Sequence, residues 1–261
     1  CLGCELDDIV VFGADTDISP YDSGSYASST AYLTGTAVVK TCEALKEKIL
    51  HKAAKYLETG AEELEFDGKR VYKLACEADG TRKEITIKDL ANRVQCANED
   101  ALQVTQSHSS PISPPPFMAG AAEVEVDLET GQVELIKFAA AVDCGTPLNE
   151  NLARVQTEGG LVQGIGMALY EDVSYSKDGK VHENSFMQYK VPSRLDVGRV
   201  QVEFESSFEP TGPFGAKSIG EVVINTPSPA IANAVYNAVG VRIRELPITA
   251  EKVFKGMNGL D

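Results

Sequence analysis

Apolar residues recur at steps of three and four from Val38 through Cys42, Leu45, Ile49 and Ala53 to Leu57, with lysines and glutamates between them, and the run stops at Gly60. That period lays six side chains along one stripe of an α-helix, a core-packing face. Ahead of it, Ile9 to Phe12 reads as a short apolar strand, followed by the small-residue run DTDISPYDSGSYASSTAYLTG. Residues 61–95 read as short strands turning at Asp67-Gly68 and Asp79-Gly80, then a small helix from Lys88 to Val94. Strict alternation in AAEVEVD, the turn LETG and the returning QVELIKFAAAVDCG predict a hairpin whose second strand is buried at its far end. A long helix follows over NENLARVQTEGGLVQGIGMALYED, then a hairpin around Asp178-Gly179 and a strand at RVQVEFESSF. The last predicted helix has Ser228 as N-cap, Pro229 at its first position and Gly240 as its stop. Strands and helices in mixed order with several hairpins predict an α+β fold of mixed sheets and packed helices. The stretch QSHSSPISPPPF (106–117) reads as a linker or a rigid extended crossing, which divides the chain into subdomains 1–115 and 116–261.

A length of 261 residues fits that division, and 43% hydrophobic residues can fill a sizeable core. The formal charge of -15 argues against nucleic acid and against a polybasic membrane-surface mode, because both partners are anionic. No apolar run reaches the length of a membrane helix, and the acidic opening CLGCELDDIVVFG does not read as a signal peptide. With Cys rather than Met as its first residue, the sequence leads us to expect a fragment, a processed product or a trimmed chain. Six cysteines, with one CxxC at Cys1 and Cys4, and three scattered histidines give no metal-ligand spacing, so no protein-ligated metal is expected. Reduced thiols and a cytoplasmic location are the economical reading.

Three segments rich in glycine and small residues carry candidate chemistry. Gly24 to Thr30 joins a strand to a helix, and free amides at a helix start suit an anionic group such as a phosphate; the same serines and threonine equally serve as plain caps. Gly159, Gly160, Gly164 and Gly166 fall within eight positions of a predicted helix, where each glycine costs up to about 1 kcal/mol against alanine. Close approach of another backbone or of a ligand would account for them, and Gln163 among them can donate to an oxygen or stand as an ordinary surface amide. In GPFGAKSIGE, Glu221 precedes Val222, Val223 and Ile224. A carboxylate desolvated at such an edge suits a general base, and Lys217 four residues earlier could pair with it or with a phosphate; the alternative is a surface glutamate beside a turn.

Taken together, DTDISPYDSGSYASSTAYLTGTAV, AAEVEVDLETGQVELIKFAAAVDCGTPLN, EGGLVQGIGMAL and GPFGAKSIGE resemble the molybdenum hydroxylase (xanthine dehydrogenase/oxidase) family in order and spacing, from about residue 15 to 240. Residues 61–115 agree only in general pattern, and Ser218, Thr157 and Thr146 depart from otherwise familiar runs without removing a chemical group. The resemblance implies the C-terminal half of a molybdopterin-binding subunit, with the metal held by the dithiolene sulfurs of the pterin and the cofactor in plain or cytosine dinucleotide form. It assigns the base to Glu221 and a place near the metal's oxo ligand to Gln163. It gives cofactor contacts to Ser25, Tyr26, Ala27, Ser28 and Thr30, with Lys217 and Gly220 around the base.

The implied reaction is oxidative hydroxylation of an N-heterocycle (purine or nicotinate-like) or of an aldehyde, with water as the oxygen source and a sulfido or selenido ligand on the metal. The implied partners are the N-terminal half of the same subunit and the iron–sulfur and FAD subunits or regions. Two other readings stay open at this point: a non-catalytic half that only completes the cofactor cage and subunit interface, and an unrelated α+β binding domain.

Overall fold

A computed structural model of the chain describes residues 1–260. The chain falls into two compact units, one made of Cys1–Gly24 and Leu33–Pro111, the other of Ser25–Tyr32 and Ile112 onward. The proposed division at residue 115 thus needs one amendment. Ser25–Tyr32 interrupts the first unit's sequence and packs with the second, where Tyr32 Oη donates to Thr211 Oγ1 at 2.8 Å.

In the first unit the long helix α1 (Thr30–Leu57, its first turn counted with the second unit) is followed by β1 (Leu64–Phe66), β2 (Arg70–Lys73), β3 (Glu84–Thr86) and α2 (Ile87–Cys96). The three strands form an antiparallel sheet in sequence order, with Val71 opposite both Phe66 and Ile85. Thr86 caps α2 by accepting from the Asp89 N–H at 3.1 Å. Ile49, Ala53 and Leu57 of the α1 stripe are buried with Leu64, Phe66, Val71, Ile85, Leu90 and Val94. The stripe's earlier end is not: Val38 is 55% exposed, because the small sheet reaches only the second half of the helix. The strand expected at Ile9–Phe12 does not form. These residues are extended and exposed and pair with no strand, and an apolar run without a ladder partner has no hydrogen bonds to make it one.

The second unit is built on β4 (Phe117–Val126), β5 (Val133–Asp143) and β6 (Arg199–Phe204). β4 and β5 form the expected antiparallel hairpin, with a bulge between Glu123 and Val124. β6 lies parallel to β5, and a parallel neighbour needs a crossover, which α3 (Glu150–Leu169) supplies. The short α4 (Val222–Asn225), α5 (Pro227–Val239) and α6 (Ala250–Asn258) complete it. Phe138, Val142, Leu161, Ile165, Ile231, Val235 and Val253 meet in a continuous core. Gly240 ends α5 with φ 74°, as expected, but the helix starts at Pro227 rather than at Pro229, and Thr226 holds the N-cap position in place of Ser228. Pro227 lacks the N–H that a first-turn residue would leave unpaired, so the helix can begin there. Around Asp178-Gly179 only a single bridge, Tyr175 to Val181, stands where a full hairpin was expected.

The glycines of α3 are explained by packing against the protein itself. A Cβ on Gly160 would stand 2.2 Å from Val223 Cγ2, and one on Gly164 would stand 2.7 Å from Pro227 Cγ and 2.9 Å from the Ile224 carbonyl oxygen. α4 and the start of α5 therefore lie directly on the glycine face of α3, which fixes the chain just downstream of Glu221. Gly159 faces open space. The contrast gives a measurement. Gly159→Ala should stabilise the chain by about 0.5–1 kcal/mol through helix propensity, whereas Gly164→Ala should cost about 1–3 kcal/mol through overpacking that propensity does not offset. Urea unfolding of the two variants should shift the midpoint in opposite directions.

Candidate functional site

The second unit carries a cleft of about 510 Å³, and all its lining residues come from that unit. One wall is Ser25, Ser28, Thr30 and Ala31; a second is Cys144 to Asn149 with Leu152, Ala153 and Gln156 on the first turns of α3; the third is Ala216, Lys217, Ile219 and Gly220. These are the ends of three sequence-distant segments, and particular bonds bring them together.

The end of β5 is sewn to the GPFGAKSIGE segment by a short antiparallel bridge between Gly145 and Ala216. The Lys217 N–H donates to the Cys144 carbonyl at 2.9 Å, and the Thr146 N–H to the Gly215 carbonyl at 2.7 Å. Beside this bridge Lys217 is buried, with 8% of its side chain exposed. Its ammonium sits 2.8 Å from Asp143 Oδ2, donates to the Pro115 carbonyl at 3.1 Å and lies 5.0 Å from the centre of the Phe117 ring. Burial pushes the Asp143 carboxyl up, but hydrogen bonds from Lys217, Ser207 Oγ and the Gly145 N–H outweigh it and hold the group below its ordinary range. The Lys217 ammonium is thereby paired with Asp143, and it makes no ion pair with Glu221.

Ser25–Tyr32 closes the cleft from the other side. Ala27 and Ser28 are both left-handed, with φ of 47° and 55°, a conformation that non-glycine residues adopt at a cost of about 1–3 kcal/mol each. The Ser29 N–H and Oγ both bond the Tyr26 carbonyl, at 3.1 and 2.9 Å, which holds the strained turn in place. The chain then enters α1 at Thr30, and the hydroxyls of Ser25, Ser28 and Thr30 line the cleft at this point. Gly220 lies against this turn: a Cβ there would stand 2.8 Å from Ser28 Oγ. Ser28 Oγ donates to Glu221 Oε2 at 3.1 Å. Glu221 is exposed in this chain, in contrast to the partly buried position expected from its apolar followers, because Val223 turns inward while the carboxylate, one residue before α4, turns out.

The expected set is only partly assembled. Ser25, Ser28, Thr30, Lys217 and Gly220 line the cleft; Glu221 stands at its edge through Ser28; Tyr26 is 59% exposed and does not line it. Gln163 is exposed and lines no part of this cleft. It sits two turns, about 10 Å, farther along α3. The amide that reaches the cleft is Gln156, on nearly the same helix face near the N-cap Asn149. The spacing held a hint of this, since seven residues return a helix to the same face and Gln156 is the member nearer CGTPLN. Asp143 was also overlooked, although an acid closing the apolar run AAAV is unusual enough to imply a buried partner.

A protein-family model for the molybdopterin cofactor-binding domain matches residues 1–198. The chain belongs to that family. It is 33% identical over 98% of its length to the probable hypoxanthine oxidase XdhD of Escherichia coli K12, covering 26% of that protein. It is 29% identical to the carbon monoxide dehydrogenase large chain of Afipia carboxidovorans, with 91% of this chain and 29% of that one aligned. Among solved structures, the Cu,Mo-CO dehydrogenase superposes with a TM-score of 0.84 at 27% identity over 97% of this chain and 32% of the other. The chain thus spans about a quarter to a third of the length of these relatives.

The cleft's own chemistry fits a molybdopterin. Hydroxyls, backbone amides and the amides of Asn149 and Gln156 can meet the polar edges and phosphate of such a group, while Pro147, Leu148, Leu152 and Ile219 offer apolar walls to its ring. Although the whole chain carries a charge of -15, none of the residues lining the cleft is acidic.

The Asp143–Lys217 pair gives a stability prediction with a defined sign. Because the folded Asp143 carboxyl titrates below its unfolded value, its contribution is full above about pH 4 and is lost as pH falls through the folded pKa. Lys217→Met should cost about 2–4 kcal/mol near neutral pH by leaving Asp143 without its counter-charge, and the deficit should narrow in acid. Adding Asp143→Leu should restore part of it. Denaturant unfolding at pH 7 and pH 3.5 checks all three statements.

Proposed function

We propose that this chain is the part of a molybdenum-dependent hydroxylase that closes one side of the molybdopterin and supplies the general base. The observation that carries the reading is the Ser28–Glu221 hydrogen bond. It joins a carboxylate to the strained turn whose amides and hydroxyls are the cleft's best anion donors. When bound, the cofactor accepts two electrons per turnover and presents the oxygen that ends up in the product.

The residues of the chain do the rest. The hydroxyls of Ser25, Ser28 and Thr30 hold the pterin's polar edge and phosphate. Gln156 donates its amide from the opposite wall, a role for which it is better placed than Gln163. Gly220 lets the base-bearing segment approach the Ser28 turn. Lys217 holds that segment to β5 through Asp143. Glu221 takes up the proton released as oxygen is transferred to carbon, and general base work of this kind contributes about 10²–10⁴ in rate.

The substrate class we assign is a small aromatic N-heterocycle or an aldehyde. Relatives that carry the names of a hypoxanthine oxidase and of a nicotine 6-hydroxylase large subunit favour the heterocycle. The partners follow from the same reading: the remaining half of the molybdenum-binding subunit, together with iron–sulfur and FAD centres that carry the electrons away.

Glu221→Gln, purified in the complex that the natural chain forms, should lose about 10²-fold or more in kcat while its molybdenum and pterin content stays at the natural level. Turnover within a few-fold of the natural complex would instead leave the chain the role of completing the cofactor cage.

A further inference from the structure

Ser28 is held in a conformation that costs energy, and its hydroxyl donates to Glu221. Its φ of 55° follows the left-handed Ala27, so the turn aims the side chain away from the path an ordinary helix entry would take. Its Oγ donates to Glu221 Oε2 at 3.1 Å, and Gly220 is the residue whose missing Cβ leaves room for that Oγ. Among the described residues no other side chain is hydrogen-bonded to Glu221, and no lysine, arginine or histidine lies at ion-pair distance from it.

The elements packed on α4 do not supply a competing charge. α5 carries no charged side chain. α3 brings Glu150, Arg154 and Glu158, and β4 brings Glu123 and Glu125. Arg154 is paired with Glu150 and with the Val202 carbonyl, and Lys217 with Asp143. The Glu221 carboxylate is therefore oriented by a single neutral donor on one oxygen.

From this geometry we propose that Ser28 is a positioning residue for Glu221, fixing Oε2 so that Oε1 is the oxygen that receives the proton. The inference rests on the reading of Glu221 as the base.

The test uses Ser28→Gly, which removes the hydroxyl while easing the left-handed backbone, alongside Ser28→Ala, both in the assembled complex. The expected result is a kcat lower by about ten- to a hundredfold with KM within about threefold. Molybdenum content should fall by less than kcat does, since Ser28 also lines the cleft. A second readout does not depend on turnover: the carboxylate infrared band identified by its loss in Glu221→Gln should shift in frequency in both Ser28 variants. A natural kcat and an unmoved infrared band, with Glu221→Gln inactive, would overturn the role of Ser28 and leave that of Glu221 standing. Loss of molybdenum in proportion to activity would make Ser28 a cofactor ligand only and also overturn it. Full turnover by Glu221→Gln would overturn both readings.

Discussion

The buried ion pair between Asp143 and Lys217 is the constraint on which the candidate site depends. It closes the end of β5 and fixes the start of the segment that carries Glu221, and the bridge between Gly145 and Ala216 continues the same connection in backbone hydrogen bonds. Removing two charges from water is costly and is offset only when the geometry and the remaining hydrogen bonds are good. Here Ser207, the Gly145 N–H and the Pro115 carbonyl complete the pair. A fully apolar contact at this place could be at least as stable. What the charged pair adds is one register between β5 and the loop, and the cleft's walls are set by that register.

The downstream side of Glu221 is fixed by different physics. Gly160 and Gly164 let α3 lie against Val223 and Pro227, so α4 and α5 dock on a helix whose other end, at Asn149 and Gln156, forms a wall of the cleft. Glu221 thus sits between two rigid attachments, an ion pair before it and a helix contact after it. The strained turn at Ala27 and Ser28 meets it there. Strain stored beside the carboxylate proposed as the base agrees with the general association of unfavourable backbone with binding sites.

Much of this was legible in the sequence. The hairpin of β4 and β5 followed from strict alternation, α1 from its apolar stripe, and the stop at Gly240 from C-cap chemistry. Of the three small-residue and glycine segments, Gly24–Thr30 and GPFGAKSIGE contribute residues to the cleft, and Glu158–Gly166 does not. The failures share a cause: each turned on tertiary contact that local pattern does not encode. Ile9–Phe12 has strand composition but no ladder partner. Lys217 looked free because its partner Asp143 lies 74 residues away in sequence. Gln163 drew notice from the glycines around it, but those glycines serve helix packing, and Gln156 on the same face is the amide at the cleft. Glu221 looked desolvated from its apolar neighbours, yet those neighbours turn inward and the carboxylate turns out.

The central claim is that the cleft beside Glu221 receives the molybdopterin. The most direct measurement is X-ray diffraction from the purified complex at wavelengths on either side of the molybdenum absorption edge. The account predicts one anomalous peak next to the Glu221 carboxylate, with pterin density reaching the turn at Ser25–Thr30 and the amide of Gln156. A molybdenum peak away from this cleft, in a complex that turns over, would contradict it.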